Sequence, residues 1–374
     1  LKRNDRSEFG VSVPVVTFFV DLPASVTGGE KKGGGAMNHR VLVASLTALA
    51  LLAGMAGTVA AGSGGKCLLV TDGTDIFFPD DGAIYLLDKS GIQTYYSGFP
   101  LQSPGGIAVD QARGDVYITD FGVVTAFGGG PDGAIFRFDA HRNIETVYSG
   151  EPFGDPYGVL LDSRGDLIVS DFDPWDPNFS DGMIFRVRLD PDGDGEPGPF
   201  PVPPSAIETV WAGFPLVGPN HLVEDENSDE TTDFITPDDS GNIFRVATDG
   251  SGVRPMASGI PGPVGIVRDG KRGDFYLCSN QTSDIYTLDS DGVVTSFIEL
   301  PPGSDPLSIS EGKGGKFYVA NAVGVFVVSF PPEANGQIMV FNRKGEYRML
   351  YEGAPLVNPF DVHPFDCADE GPDE

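Results

Sequence analysis

One phrase is written six times along this chain, and each copy opens on a proline. Pro104, Pro156, Pro219, Pro263, Pro306 and Pro359 each begin a short run in which apolar and polar residues alternate, at spacings of 52, 63, 44, 43 and 53 residues. A second phrase follows every anchor but the last, at 114–120, 165–171, 231–237, 273–280 and 315–321. A third, the most regular, occupies 82–91, 133–142, 182–191, 241–250, 283–292 and 336–345. A fourth closes each unit, as in "TVYSG" (146–150) and "TVWAG" (209–213). The phrases favour Val, Ile, Phe and Tyr, which suit a pleated, half-buried surface, and Gly, Asp and Pro between them supply turns. Helical periodicity is almost absent. Four strands per unit at a period of roughly 40–50 residues predict the blade of a β-propeller. A lone blade cannot bury both faces, so blades must stack around an axis.

The two ends of the pattern fit each other. "KCLLVTD" (66–72) is a second phrase with no first phrase before it, and "NPFDVHPF" (358–365) is a first phrase with no second after it. The last segment is therefore expected to supply the inner strand of the first blade, closing the ring and leaving no open edge. The fold class predicted is all-β: six blades of four antiparallel strands, one domain over 62–374. Counting offsets from Pro359 and Asp72 onto the second blade puts Cys367 at the place of Ala112 and Cys67 at the place of Asp115. Those positions share a tight hairpin turn, whose α-carbons lie within about 7 Å, so a Cys67–Cys367 disulfide is expected. Cys278, inside an apolar run, reads as a buried small hydrophobe.

Residues 37–61, "MNHRVLVASLTALALLAGMAGTVAA", have the basic start, apolar run and small-residue end of a secretory signal, with cleavage expected after Ala61. The alternative is an uncleaved membrane anchor. Residues 1–36 precede that signal, and "GGEKKGGGA" before Met37 reads like a ribosome-binding site, so translation is expected to start at Met37. Residues 1–61 hold 6 of the 24 Lys+Arg and 4 of the 54 Asp+Glu, leaving 18 against 50 beyond them, a net of about −32. Such a surface repels nucleic acid and anionic membranes. The expectation is a secreted or periplasmic monomer with no membrane span after cleavage, whose partner is a small molecule or an extracellular protein.

The copies "PGGIAVDQARGDVYITDFG" (104–122) and "PYGVLLDSRGDLIVSDFD" (156–173) resemble NHL repeats and the blades of SMP-30/gluconolactonase-like and streptogramin-lyase-like propellers. The resemblance covers most of 66–366. It implies a six-bladed propeller, in a superfamily that mixes hydrolases, lyases and non-catalytic binding proteins. In such propellers the residue after each anchor should face the mouth of the central channel: Gly105, Tyr157, Asn220, Val264, Leu307 and Phe360. The resemblance also makes Asn220 a candidate metal ligand, since the metal-binding Asn of SMP-30 lies in a Pro-Asn-Gly-Leu phrase and "GPNHL" stands at 218–222. His221 replaces the Gly, and the other ligands of that family have no counterpart. A hard cation wants six or more oxygens, so lactonase chemistry at Asn220 alone is not expected.

His221 and Tyr157 are the catalytic candidates, with His141 read as exposed and His363 as a packing residue. Gly-x-Ser-x-Gly and Cys-x-x-Cys are both absent. Asp72, Asp120, Asp171, Asn280 and Asn321 at second-phrase ends form a candidate ligand ring, although Asp and Asn there also cap turns. The loops 121–132 and 172–181 exceed what hairpins need and are candidate binding loops. Asp190, Asp192 and Asp194 in "DPDGDG" imitate half of a calcium loop, making Ca²⁺ the candidate cofactor; a full loop would need Glu at Pro201. The function expected is a binding scaffold, with a lactonase, esterase or lyase at the channel mouth as the alternative.

Overall fold

The computed structural model describes residues 67–73, 82–122, 133–172, 182–226, 232–323 and 335–367. The leader 1–36, the signal segment 37–61 and most of the loops 121–132 and 172–181 lie outside the described residues. The first three strands are β1 (Cys67–Asp72), β2 (Ala83–Asp88) and β3 (Gly91–Ser97). The next four are β4 (Pro104–Asp110), β5 (Asp115–Asp120), β6 (Ala134–Phe138) and β7 (Ile144–Ser149). Then come β8 (Asp155–Leu161), β9 (Leu167–Phe172), β10 (Met183–Val187) and β11 (Ile207–Ala212). The fourth quartet is β12 (Val223–Glu226), β13 (Thr232–Asp238), β14 (Asn242–Ala247) and β15 (Val253–Ser258). The fifth is β16 (Pro263–Arg268), β17 (Phe275–Ser279), β18 (Asp284–Leu288) and β19 (Val294–Glu299). The chain continues through β20 (Pro306–Gly312), β21 (Lys316–Asn321), β22 (Gln337–Asn342) and β23 (Tyr347–Glu352) to β24 (Pro359–Phe365).

These strands form six antiparallel sheets of four, each in sequence order except one, β24-β1-β2-β3. The closing strand pairs Leu69 with His363 and Val70 with Val362, and the Cys67–Cys367 disulfide joins α-carbons 5.7 Å apart beside it. The ring is thus closed by the C-terminal strand, as the unmatched phrases at the two ends predict. Blade four departs from the pattern at its inner edge. Pro219 reaches the sheet through one isolated bridge to Asp238, and its strand begins only at Val223.

Burial peaks in the second strand of the blade. β1 and β5 are buried along their whole length, inner strands such as β8 and β24 keep half-buried residues, and outer strands such as β3 and β7 have one fully buried residue each. The apolar faces meet between blades: Ile84, Tyr95 and Leu101 of the first blade pack with Ile107, Ile118 and Phe136 of the second in one core cluster. The third phrase also carries a shared irregularity. In all six blades the register slips just after its Ile, at Ile84, Ile135, Ile184, Ile243, Ile285 and Ile338. A bulge there increases local twist, which an outer strand far from the axis needs.

Hydroxyl groups tie the first three blades together near the axis. Thr119 Oγ1 accepts the N–H of Gly106 at 2.8 Å and donates to the carbonyl of Tyr157 in the next blade at 2.7 Å. Thr71 does the same with Asp361 N–H and Gly105 carbonyl, and Ser170 with Gly158 N–H and Asn220 carbonyl. The equivalent positions in the other blades are Pro237, Cys278 and Ala320. The near-isosteric Thr119→Val should therefore strand one buried N–H and one buried C=O and cost about 2–3 kcal/mol. Urea unfolding reads this as a lower midpoint at unchanged slope; an unmoved midpoint would show that the tie contributes nothing.

Candidate functional site at the channel mouth

Each inner strand starts at one face of the ring, and four of the six residues that follow the anchors meet there. Tyr157, Val264, Leu307 and Phe360 form one cluster with Ala322. Gly105 takes a different part. A Cβ on it would stand 3.1 Å from Phe121 Cζ and 3.1 Å from the Tyr157 carbonyl, so the glycine leaves room for the Phe121 ring. Phe121 lies 5.5 Å from both Tyr157 and Phe360, centroid to centroid. Together they make an aromatic and aliphatic floor across the upper channel. Protein surrounds Tyr157, and burial pushes its hydroxyl pKa well up, with Asp239 and other nearby carboxylates adding to the effect. Its ring still keeps some accessible surface along the channel.

His221 sits edge-on to Tyr157 at 5.4 Å. Burial lowers its pKa, against the pull of the Asp361 carboxylate. The ring also faces a cavity of about 290 Å³ in the lower channel, shared with Asp361, His363 and Ser310. Asp361 is bound to the wall by accepting the N–H groups of Ile107 at 2.8 Å and Val362 at 2.7 Å. His141 is exposed, and its N–H donates to Asp139 in a hairpin turn.

Asn220 turns its amide toward a carboxylate. Nδ2 donates to Asp239 Oδ1 at 2.9 Å and, at 3.3 Å, to the carbonyls of Gly218 and Pro263. Burial raises the Asp239 pKa; the Asn220 bond opposes this and neighbouring Asp238 reinforces it. Among the described residues, no three His, Cys, Asp or Glu side chains converge at the mouth to hold a metal.

The acidic residues at second-strand ends are engaged by backbone. Asp72 accepts from Val357 and Asn358, Asp120 from Gln102, Ser103 and Gly122, and Asp171 from Gly154. Each fastens the connection that enters its own blade. Asp238 does so in blade four, where the sequence offered no candidate, and Asn321 in blade six. In blade five the register gives the position to Ser279, not Asn280. Burial pushes the Asp72 carboxyl up to about 6 in spite of its two N–H donors.

One further carboxylate stands apart from these. Asp305 precedes the anchor Pro306, is 7% exposed, and among the described residues its Oδ1 has no hydrogen-bond partner. Its backbone accepts from Ala322 of the mouth cluster, and its charge acts on Tyr157 and Cys278. Burial alone pushes its pKa up to about 6. In the sequence it looks like any turn aspartate; its one signal is a carboxylate immediately before an anchor, shared only with Asp155.

On the opposite face, Asp190, Asp192 and Asp194 bring carboxylate oxygens within 4.8 Å of one another. Asp190 accepts from Gly193, Asp194 and Gly195, and these bonds, that from Gly195 foremost, hold its carboxyl below the usual range. Such a surface cluster could coordinate a divalent ion such as Ca²⁺. No helix among the described residues is long and apolar enough to cross a membrane.

No family model matches the sequence, and no curated protein matches it. Solved structures match in fold. A chain of a nidogen/laminin complex aligns with TM-score 0.57 at 16% identity, over 80% of this chain and 98% of its own. A protein of unknown function from Bacteroides caccae gives 0.55 at 11%, over 81% and 99%. TolB from Acinetobacter baumannii gives 0.52 at 14%, over 80% and 66%. At these identities the likeness is one of architecture, the six-bladed propeller.

Proposed function

We propose that the channel mouth is a small-molecule site with hydrolase- or lyase-type chemistry, in which Asp305 transfers the proton. The observation that carries this reading is the Asp305 carboxyl itself. It is buried beside the mouth cluster, lacks a partner at Oδ1, and has a pKa of about 6. A carboxylate near 6 exchanges protons at neutral pH, and a fold keeps such a group at a cost in stability. Tyr157, Phe121 and Phe360 would hold the apolar part of the substrate, with Asn220 and His221 beside it.

The sign of the stability effect follows from the raised pKa. The folded state favours the protonated acid, so the contribution of Asp305 is fully present below about 3.8 and lost as pH rises through about 6. Asp305→Asn is therefore expected to stabilise the protein at pH 7.5 by about 1–3 kcal/mol and to change little at pH 3.5. The same variant should lose at least a hundredfold in kcat/KM toward whichever ester, lactone or eliminable substrate a screen identifies, roughly 2.7 kcal/mol of transition-state stabilisation. Wild-type activity should rise with pH through about 6 if Asp305 is the base. Turnover that survives Asp305→Asn would defeat this assignment. The second reading, a binding scaffold, is favoured by the apolar floor; it stands if a ligand binds at the mouth and nothing is turned over.

We also infer export of the domain. What supports it is the Cys67–Cys367 disulfide, which persists in oxidising compartments, together with the signal pattern at 37–61.

A further inference from the structure

The blades repeat closely enough for a departure to stand out. In blade two Arg137 lies opposite Glu145 across the outer strand pair, and the two form an ion pair at 2.7 Å. In blade three the opposed pair is Arg186 and Glu208. Blades one, five and six place Leu86 opposite Gln93, Thr287 opposite Thr295 and Val340 opposite Arg348, and in blade four Arg245 faces Arg254. Like charges directly across a strand pair are destabilising. A third arginine comes from the next blade. Arg268 lies five residues after its anchor, where other blades carry Val109, Leu161, Glu224 and Glu311.

Two carboxylates hold this group together. Asp225 pairs with Arg245 at 2.5 Å and Arg268 at 3.5 Å, and Asp233 pairs with Arg254 at 3.2 Å. The three guanidiniums line a cavity of about 500 Å³ between blades four and five, with Pro255, Met256 and Phe275 as apolar wall. Asp225 and the exposed Asp291 also line it, and Asp233 behind Arg245 and Arg254 brings three arginines and three aspartates to a net of zero. That is a locally neutral spot in a chain of formal net charge −30. Arg254 is 71% exposed and Arg268 30%, and each guanidinium offers five N–H donors in a planar fork. One carboxylate contact leaves most of those donors to solvent. A fork of this kind matches the oxygens of a carboxylate, phosphate or sulfate.

We propose that this cavity binds a small ligand through an oxyanion group, independently of the channel mouth. The opposed arginines are the mark of it: the blade gives up a stabilising Arg–Glu pair and gains a two-armed anion clamp. Isothermal titration at constant ionic strength with citrate, inorganic phosphate and sulfate, and with chloride as control, tests the idea. Saturable binding of at least one oxyanion is expected in the wild type, weakened at least tenfold in Arg254→Gln/Arg268→Gln. The ranking of the three probes identifies the oxyanion. Arg254→Glu restores the pairing of blades two and three, so it should melt at a higher temperature than the wild type while losing the binding. Oxyanion binding that is absent from the wild type, or equally strong in the variants, overturns the proposal.

Discussion

Removing residues 355–374 is expected to abolish cooperative unfolding. The deletion strips β24, so β1 becomes the inner edge of the first blade with a full row of unpaired N–H and C=O groups. The loss spreads beyond that ladder. Val362, fully buried in a core cluster, leaves a gap against Val70, Leu87 and Ala320. Asp72 loses the Val357 and Asn358 N–H groups that its buried carboxylate accepts. Ile107 N–H loses Asp361, and Phe360 is gone from the mouth. A large buried apolar side chain alone is worth about 2–5 kcal/mol. Several such losses together exceed the 5–15 kcal/mol or so that holds a domain folded. Circular dichroism should show a broad, shallow melt and dye binding should show exposed apolar surface. A truncated chain that melts as sharply as the intact one, at the same temperature, would contradict closure of the ring by β24.

The strands were legible because their signal is local. Period-two alternation with Gly and Asp between runs marks "GAIFRFDAHR" as strand and turn without any long-range knowledge, and the recurrence of that run supplies the blade count. The closing strand was legible for a different reason: two incomplete units at opposite ends complement each other. The site was harder to read because its geometry is set by the axis, which no single phrase encodes. The residue after each anchor could be listed, and Tyr157, Val264, Leu307 and Phe360 do meet. Phe121, which follows the end of β5 and needs Gly105 in the same blade to make room, could not be found that way. Asp305 and Asp72 have the same residue type and similar pKa, yet Asp72 accepts two backbone N–H groups while Oδ1 of Asp305 accepts nothing. That difference exists only in three dimensions. The Arg245–Arg254 opposition is an intermediate case, since aligning the third and fourth phrases puts Arg254 in the column of Glu145 and Glu208.

Replacing both half-cystines, Cys67→Ser with Cys367→Ser, should separate the bond from the strand it secures. The bridge closes a loop of 300 residues. Chain-entropy arguments put the stabilisation from such a loop on the order of 4–5 kcal/mol, an upper figure because residual structure in the unfolded chain reduces it. The serine variant keeps β24, its ladder to β1 and the Asp361 contacts, so it should still fold, with a lower urea midpoint and a slope altered by a less compact unfolded state. That outcome differs in kind from the truncation, in which cooperativity itself is lost. The third cysteine should not interfere. Cys278 is fully buried, and burial pushes its thiol up to about 12, so it offers almost no thiolate for exchange. Peptide mapping without reductant should therefore find Cys67 joined to Cys367 and Cys278 alkylated only after unfolding. A bridge involving Cys278, or a serine variant as stable as the wild type, would remove the disulfide from any account of how the ring is held shut.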